Sequence, residues 1–364
     1  MSETRHNWTK EEILDIYNKP FMELLYEAAS VHRLHHDPNT VQVSTLLSIK
    51  TGGCPEDCGY CPQAARYHTD IEGNDLMSVQ QVKAQALRAK ASGSSRVCMG
   101  AAWRNVKDGE EFDQVLEMVR TINKLDMEVC CTLGMLTENQ AQRLAEAGLY
   151  AYNHNLDSSE EYYKEVISTR GFEDRLQTID NVRKTNVTVC SGGIIGMGEK
   201  IEDRAGMLVA LSTLNPQPES VPINALVAVE GTPLEDQQPI SIWEMVRMVA
   251  TTRIVMPETQ VRLSAGRTQM TREGQAMCFF AGANSIFAGD KLLTTPNPDV
   301  NEDMEMFKQL GLNPQKPFIK KMQPQSVEAK DSQYQALGEK PKWSRPEHKI
   351  ERNEAAKEKA KVVK

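Results

Sequence analysis

Two hydrophobic spacings alternate along this chain and predict strands that alternate with helices. Short apolar runs, which are typical of buried strands, lie near residues 42–50, 95–101, 127–133, 150–156, 187–193, 220–226, 259–264 and 284–287. Between them, apolar residues recur every three to four positions, as in amphipathic helices, near residues 78–91, 110–124, 138–147, 172–184, 201–213, 241–254 and 270–281. Eight strands separated by seven helices predict an α/β protein with a (β/α)8 TIM-type barrel.

The competing architecture is a doubly wound open sheet, which is also built from alternating strands and helices. The first predicted strand is not followed by the G-x-G-x-x-G pattern of a dinucleotide-binding sheet. We therefore assign residues 41–315 to one barrel. Apolar residues at helical spacing over residues 10–35 predict that residues 1–40 form an N-terminal helical extension.

The C-terminal segment, residues 316–364, differs from the rest of the chain in charge and complexity. It contains thirteen Lys or Arg residues and seven Asp or Glu residues, although the whole chain has a formal charge of −8. Its last part has no apolar stripe that a core would bury, so we predict a disordered tail or a frayed helix. The negative charge of the whole chain argues against nucleic acid as a general partner.

The composition is typical of a globular protein from a reducing compartment. No run of about 18 apolar residues is present, so no membrane span is expected. The N-terminus lacks the apolar core of a secretion signal. Eight cysteines in 364 residues without such a signal favour a cytoplasmic location, and they favour metal ligation over disulfides.

Three cysteines with the spacing C-x3-C-x2-C follow the first predicted strand, namely Cys54, Cys58 and Cys61. Thiolates are the usual ligands of iron–sulfur clusters. A [4Fe–4S] cluster bound by three cysteines keeps one iron free to bind a substrate or cofactor. The alternatives are a zinc site completed by His68, and a disulfide with one spare thiol.

The alternation of side chains along the strands directs a second set of cysteines into the barrel. Successive side chains of a barrel strand point to the lumen and to the helices in turn, and apolar faces are expected to meet the helices. By this criterion Cys98, Cys130 and Cys190 point into the lumen. Arg262 joins them there, whereas Cys131 points toward the helices and is predicted to be a packing residue.

Further polar residues share the lumenal face. Asn153, Asn155 and Asp157 lie on one face of the fourth strand. Asn224 lies inside on the sixth strand, and Lys50 closes the first. Barrel interiors are normally filled by Val, Ile and Leu, so this polar interior costs stability unless it binds ligands. A single strand cysteine is commonly just a small buried residue, but so many polar groups together favour a ligand site.

The cysteine loop after the first strand resembles the signature of the radical S-adenosylmethionine (SAM) enzymes. Longer stretches resemble one family among them, the biotin synthases. These stretches are Val43–Cys58, Val97–Arg104, Tyr152–Asp157, Val189–Glu199, Glu219–Asn224, Val261–Arg267 and Ala281–Phe287. The resemblance extends from about residue 10 to residue 315, and the C-terminal tail falls outside it.

The resemblance implies two iron–sulfur clusters. It assigns a [4Fe–4S] cluster, whose open iron is chelated by SAM, to Cys54, Cys58 and Cys61. It assigns a deeper [2Fe–2S] cluster to Cys98, Cys130, Cys190 and Arg262. A guanidinium is almost always protonated and is a poor metal ligand, so the alternative role of the arginine is charge balance for an anionic cluster.

The resemblance also implies where SAM and a substrate bind. The turn after the fifth strand fits G-x-I-x-G-x-x-E and is matched to the adenosyl part of SAM through Gly192, Ile194, Gly196 and Glu199. Asn155 and Asp157 are matched to the ribose hydroxyls of SAM. Asn153 and Asn224 are matched to the ureido group of dethiobiotin, and Lys50 to its carboxylate.

The implied activity is the conversion of dethiobiotin to biotin by radical SAM sulfur insertion. In this family the [4Fe–4S] cluster generates a 5′-deoxyadenosyl radical, and the [2Fe–2S] cluster donates sulfur. The implied partners are an electron donor such as flavodoxin or ferredoxin, iron–sulfur assembly proteins, and a second copy of the chain in a homodimer. Neither nucleic acid nor a membrane is expected.

Other radical SAM barrels are the nearest alternatives, namely lipoyl synthase and a maturase or mutase relative. Lipoyl synthases carry a second cysteine cluster near the N-terminus, but residues 1–40 contain no cysteine. Relatives with only one cluster do not need Cys98, Cys130 and Cys190 in the lumen. A non-catalytic iron–sulfur or zinc carrier does not account for the glycine-rich turn or the lumenal asparagines.

Overall fold

Parallel strands close into a barrel in the computed structural model, which describes residues 4–289 and 291–316. The strands of this part of the chain are β1 (Thr40–Lys50), β2 (Arg96–Ala101), β3 (Glu128–Thr132), β4 (Ala151–Asn153), β5 (Thr188–Cys190), β6 (Gly193–Ile195), β7 (Ser220–Ala225), β8 (Gln260–Leu263), β9 (Ser285–Phe287) and β10 (Asn313–Pro314). The barrel wall follows the order β1, β2, β3, β4, β5, β7, β8 and β9, and β9 pairs with β1. The predicted eight-stranded barrel is confirmed, and the predicted tail lies outside the described residues beyond Lys316.

Helices connect the strands, and several of them begin at a side chain that caps the first turn. Those in the described residues are α1 (Lys10–Tyr17), α2 (Phe21–His35), α3 (Val79–Ala91), α4 (Glu110–Asn123), α5 (Glu138–Glu146), α6 (Glu160–Val166), α7 (Phe172–Arg183), α8 (Ile201–Ser212), α9 (Ile242–Val255), α10 (Arg272–Phe280) and α11 (Val300–Leu310). Ser78, Thr137 and Thr271 each accept a hydrogen bond from a backbone N–H of the first turn, which satisfies a donor that the helix itself cannot. The predicted barrel helices agree with α3–α5 and α7–α10 to within two residues at each end.

The N-terminal region forms two helices where hydrophobic spacing over residues 10–35 predicted one helical stretch. Pro20 lacks a backbone N–H and precedes the first turn of α2, so α1 does not continue through it. The Tyr17 hydroxyl at the end of α1 donates to the Glu244 carboxylate of α9 (2.9 Å). The extension is therefore packed against the helical shell of the barrel.

The fifth predicted strand, residues 187–193, is interrupted and forms β5 and β6. Gly192 lies between them, and a Cβ at this position would lie 2.1 Å from the Pro222 carbonyl oxygen. The backbone of β7 approaches so closely that only glycine fits there. Three elements were not predicted: α6, α11, which Asp299 caps by accepting from the Asn301 N–H (2.7 Å), and β10, which pairs with the start of β1.

Two apolar clusters divide the cysteines of the strands as their alternation predicts. The larger cluster lies between strands and helices and contains Cys131. The smaller cluster lies inside the barrel and contains Cys98, Cys130 and Cys190 together with Phe287. The predicted orientations of these four cysteines are confirmed. Within the described residues, no helix combines the length and the apolar character that crossing a membrane requires.

Candidate active site

A cavity of about 310 Å³ opens where the carboxyl ends of the barrel strands meet the cysteine loop. It is lined by most of the residues that the sequence singles out: Cys54, Cys58, Cys61, Cys98, Cys130, Asn153, Asn155, Asp157, Ile194, Asn224 and Arg262. The predicted residues outside this lining are Lys50, Cys190, Gly192, Gly196 and Glu199. The cavity therefore joins the loop cysteines to the lumen of the barrel.

The loop that carries the first three cysteines is folded onto itself by backbone hydrogen bonds. The Cys54 N–H donates to the Gln63 carbonyl (2.9 Å), and the Cys61 N–H donates to the Cys58 carbonyl (3.0 Å). Gly52, with a φ of 76°, adopts the left-handed backbone that turns the chain from β1 into this loop. The spacing of the cysteines is thus compatible with three thiols directed at one cavity.

The loop thiols are all free and are difficult to ionise without a bound cation. Burial raises the pKa of Cys54, and it raises the pKa of Cys58 to about 12. Thiolates are the form that binds metal, so a metal group has to displace these protons. In the part of the chain that the structure describes, no three His, Cys, Asp or Glu side chains converge on one metal ion. A cluster presents several irons that each take one thiolate, and three free thiols around one cavity fit it.

Two acidic residues within the loop, Glu56 and Asp57, fasten it to the segment before α7. The Asp57 carboxylate accepts hydrogen bonds from the backbone N–H groups of Ser168 (2.8 Å) and Thr169 (3.1 Å). The Glu56 carboxylate accepts a hydrogen bond from the Thr169 hydroxyl and pairs with Arg104 (3.2 Å). The sequence pattern did not predict these contacts; its only signal is a pair of carboxylates between Cys54 and Cys58.

Asp157 is held at the cavity wall by two neighbours that the sequence did not single out. Its carboxylate pairs with the buried Arg175 and accepts a hydrogen bond from the Tyr60 hydroxyl (2.8 Å). Its φ of 67° lies in the left-handed region, which Asp adopts more readily than most residues. The tyrosine belongs to the cysteine loop, so this carboxylate links the loop to the segment after β4.

The lumenal cysteines meet across neighbouring strands. Cys98 of β2 is in register with Cys130 of β3, and Asn153 of β4 is in register with Cys190 of β5. The Asn153 Nδ2 donates to the Cys190 Sγ (3.3 Å), and the Arg262 Nη1 lies 3.8 Å from the same sulfur. Three thiols and one guanidinium are therefore assembled in the barrel interior, as predicted.

Contacts among these thiols favour ionisation of two of them. The hydrogen bond from the Cys130 thiol, with a smaller contribution from the charge of Arg262, lowers the pKa of Cys190 to about 6. A hydrogen bond from Cys130 also lowers the pKa of Cys98. Cys130 has a single S–H to share between these two sulfurs, and the contacts raise its own pKa. Thiolates beside a cation are a donor set that fits an anionic iron–sulfur cluster.

The orientation of Arg262 is fixed by two residues that the sequence did not single out. Its Nε donates to the Ser285 hydroxyl (2.9 Å), and its Nη2 donates to the Gln42 side-chain oxygen (2.9 Å). Its guanidinium also lies 4.7 Å from the centre of the Phe287 ring. These contacts direct the remaining Nη1 toward Cys190, so a fully buried charge is held in one orientation.

A chain of polar side chains connects the lumen to the glycine-rich turn. The Thr132 hydroxyl donates to the Asn153 oxygen (3.1 Å), and the Asn153 Nδ2 donates to the Asn155 oxygen (3.0 Å). The Gly192 N–H donates to the same Asn155 oxygen (3.2 Å). Asn224 instead binds backbone, donating to the Gly193 carbonyl (2.9 Å).

The glycine-rich turn is shaped by Glu199 from outside the cavity. The Glu199 carboxylate accepts hydrogen bonds from the backbone N–H groups of Gly196 (2.9 Å) and Met197 (2.7 Å), and it pairs with Arg204 (2.8 Å). Gly196 has a φ of 94°, which a residue with a side chain rarely adopts. Among the predicted residues of the turn, Ile194 is the one that lines the cavity.

Comparison with known protein families and relatives matches almost the whole chain. Residues 48–211 match the Radical SAM superfamily, and residues 222–313 match the Biotin and Thiamin Synthesis associated domain. Biotin synthase of Christiangramia forsetii is 87% identical over 358 residues, which are 98% of this chain and 99% of that protein. Biotin synthase of Nostoc punctiforme is 58% identical over 317 residues, which are 86% of this chain and 95% of that protein.

Two solved structures share the fold at low sequence identity. Methylornithine synthase has a TM-score of 0.72 and 18% identity, with 85% of this chain and 94% of that chain covered. A maturase of the [FeFe]-hydrogenase has a TM-score of 0.71 and 17% identity, with 84% of this chain and 72% of that chain covered. At this identity the two structures support the barrel fold alone.

Proposed function

The chain belongs to the biotin synthase family of radical SAM enzymes, and we propose that one cavity carries both parts of the family's reaction. The reaction converts dethiobiotin to biotin by inserting sulfur. When bound, the [4Fe–4S] cluster with SAM supplies the 5′-deoxyadenosyl radical, and the [2Fe–2S] cluster supplies the sulfur. The observation that carries the proposal is that the three loop cysteines and two of the three lumenal cysteines, Cys98 and Cys130, line the same cavity.

The ligand assignment follows the two cysteine sets. Cys54, Cys58 and Cys61 would hold the [4Fe–4S] cluster, and the [2Fe–2S] cluster would be held by Cys98, Cys130, Cys190 and Arg262. The loop set is supported by three free thiols on one folded loop. The lumenal set is supported by the hydrogen bonds among its thiols and by the guanidinium beside Cys190.

The residues between the two sets are assigned to SAM and the substrate. Asn155, Asp157 and Ile194 would contact SAM, since all three line the cavity near the loop cysteines. Gly192, Gly196 and Glu199 would act by shaping the turn that carries Ile194. Asn153 and Asn224 would bind the ureido group of dethiobiotin, and Lys50 at the end of β1 would bind its carboxylate.

Apolar side chains complete the cavity and keep water from the reaction. Leu46, Leu226 and Leu292 line it together with the polar residues. A carbon-centred radical removes hydrogen from any nearby C–H bond, so the chain has to hold the two reacting molecules in order and exclude other partners. The apolar side chains in the cavity wall would contribute to this exclusion.

Anaerobic turnover tests the proposal. The chain is reconstituted with iron and sulfide and supplied with dethiobiotin, SAM and a chemical reductant, and we expect both biotin and 5′-deoxyadenosine. A variant with Cys98→Ala, Cys130→Ala and Cys190→Ala together is expected to form 5′-deoxyadenosine without biotin. Failure of the loaded parent chain to make biotin would overturn the proposal, as would biotin formation by the variant at the parent rate.

The same proposal covers the partners of the chain, namely an electron donor, iron–sulfur assembly proteins and a second copy of the chain. Electron transfer to a radical SAM enzyme needs a low-potential donor, and flavodoxin or ferredoxin has the required chemistry. A cluster that gives up its sulfur has to be rebuilt, which assigns a role to iron–sulfur assembly proteins. A homodimer follows from the family resemblance and is tested by light scattering of the purified chain. Eight free thiols are consistent with the reducing cytoplasm as its compartment.

A further inference from the structure

Arg170 is a buried arginine at the cavity wall whose hydrogen-bonding capacity is satisfied only in part. Its side chain lines the cavity, and only 8% of the residue is exposed. Its Nη2 lies 3.9 Å from the Cys58 Sγ, and its Nη1 lies 3.8 Å from the Glu56 carboxylate. Its Nε–H is buried and has no hydrogen-bond partner among the described residues.

The other buried arginines near the site have close partners. Arg175 pairs with Asp157 and donates to the Tyr163 hydroxyl (2.9 Å), and Arg204 pairs with Glu199 (2.8 Å). A buried donor without an acceptor costs about 1–3 kcal/mol, so a chain gains nothing from it in a purely structural role. The long contacts of Arg170 thus indicate a charge placed for a group that binds in the cavity.

We propose that Arg170 is a positioning residue for the [4Fe–4S] site, where its guanidinium donates to the Cys58 thiolate and keeps a positive charge beside the cluster. This inference rests on the proposed assignment of Cys58 as a ligand. Hydrogen bonds between a charged donor and a charged acceptor are shorter and stronger than neutral ones, so binding of the anionic group shortens the 3.9 Å contact.

The charge has a defined effect on reduction. Iron–sulfur potentials depend on net charge and on hydrogen bonds to the sulfurs. An added electron makes the cluster more negative, and a nearby cation stabilises that reduced form. Arg170 therefore raises the reduction potential of the cluster, which makes it easier for an electron donor to reduce.

The position of Arg170 is coupled to the loop that carries the ligand. The preceding residue, Thr169, donates its backbone N–H to Asp57 (3.1 Å) and its hydroxyl to Glu56. Both carboxylates belong to the cysteine loop, where Glu56 and Asp57 immediately precede Cys58. The same contacts fix the loop and the segment that carries the arginine. They therefore hold the Cys58 thiol and the Arg170 guanidinium in fixed positions relative to each other.

The test compares Arg170→Met, which removes the charge, with Arg170→Lys, which keeps it without the planar fork. Arg183→Met is the control, since this arginine pairs with Asp180 (3.2 Å) and does not line the cavity. Iron and sulfide are counted first, and the midpoint potential of the four-iron cluster is then measured by titration followed by electron paramagnetic resonance.

We expect Arg170→Met to lower the midpoint potential by at least about 59 mV, which for a one-electron couple corresponds to a tenfold change in the reduction equilibrium. Arg170→Lys should give a smaller downward shift, and Arg183→Met should give none. A full cluster with an unchanged potential in Arg170→Met would overturn the inference. A parent chain without a four-iron cluster would instead contradict the assignment of the ligand cysteines.

If Arg170→Met loses iron, the unfolding temperatures of the metal-free chains distinguish a positioning role from a structural one. If its metal-free form unfolds at the parent temperature and Arg170→Lys keeps its iron, the charge is needed to position the ligand, which supports the inference. If both variants lose iron and both metal-free forms unfold at a lower temperature, Arg170 has a structural role and the inference is wrong.

Discussion

Cys130 and Cys131 are neighbours on β3 with opposite surroundings. Cys130 lies in the lumen with Cys98 and Cys190, whereas Cys131 lies in the larger cluster between the strands and the helices. Burial raises the pKa of Cys131, and no contact with a cation opposes it. The same residue type therefore faces the lumen at one position and packs between strands and helices at the next.

Alanine at each of these two positions gives a matched pair of variants. Cys130→Ala is expected to lose the iron and sulfide of the two-iron cluster, because it removes a thiol from the lumenal set. Cys131→Ala is expected to keep both clusters and to lower the free energy of unfolding by about 1 kcal/mol, as for a small cavity in a core. Iron and acid-labile sulfide per chain, counted after anaerobic reconstitution, check the pair. Equal loss of iron in both variants would contradict the assignment.

The sequence predicts the orientation of single side chains well where they lie on strands. The two-residue period of a strand is strict, so the apolar neighbours of Cys98 and Cys190 determine which way each thiol points. The contact between Asp57 and Thr169 joins residues that are 112 positions apart. No local pattern encodes such a contact, because it depends on how two loops pack.

At the scale of elements, the Asp57 carboxylate holds the cysteine loop to the segment before α7. We call this contact the acidic clamp. Asp57 accepts from two consecutive backbone N–H groups, those of Ser168 and Thr169. The segment connects α6 and α7. The carboxylate thus orders the segment that also carries Arg170.

Asp57→Ala tests this clamp. Loss of a charged acceptor costs about 1.5–3 kcal/mol, so hydrogen exchange at the Ser168 and Thr169 amides should accelerate by about 10- to 100-fold through local opening. Asp75→Ala, at an exposed carboxylate further along the same loop, is the control and should leave both amides unchanged. Exchange is measured on the metal-free chain, and equal rates in Asp57→Ala and the parent would show that the clamp does not hold the segment.

Element boundaries were predictable where the hydrophobic period was regular. The barrel helices follow the 3.6-residue period, and several of them begin at a Ser or Thr cap, so their predicted ends agree closely with the structure. The break at Pro20 and the cap at Asp299 both have a local signal in the sequence, since proline interrupts a helix and aspartate is a common N-cap. The pairing of β10 with β1 had no such signal, because two residues carry no period and their partner is set by the closed barrel.

At the scale of the whole molecule, the buried His32 and the partly buried His36 make stability depend on acid. Burial lowers the pKa of His32 to about 3 and the pKa of His36 to about 4, and the charge of Arg253 adds to both shifts. The Arg253 Nη1 lies 2.8 Å from the His36 Nε2, and the Asn284 Nδ2 lies 3.2 Å from its Nδ1. Two donors thus lie against the ring nitrogens and disfavour protonation, while the Pro257 carbonyl, 3.0 Å from the Nε2, opposes the shift in part.

This arrangement predicts the direction of a pH effect on unfolding. In the unfolded chain histidine binds a proton below about pH 6.5, whereas folded His36 binds one only near pH 4. The unfolded state holds more protons between these values, so stability falls as the pH drops through this range. His36→Gln should reduce the loss between pH 7 and pH 5 by about 1–2 kcal/mol. Urea unfolding of the metal-free chain measures it, and an unchanged pH slope would contradict the account.

The central claim is that two separate cysteine sets hold two different clusters around one cavity. Mössbauer spectroscopy of the chain reconstituted with ⁵⁷Fe tests it most directly. The parent should show a four-iron and a two-iron species. A variant with alanine at Cys54, Cys58 and Cys61 should keep only the two-iron species, and one with alanine at Cys98, Cys130 and Cys190 should keep only the four-iron species. A parent with a single species, or either variant losing both, would contradict the claim.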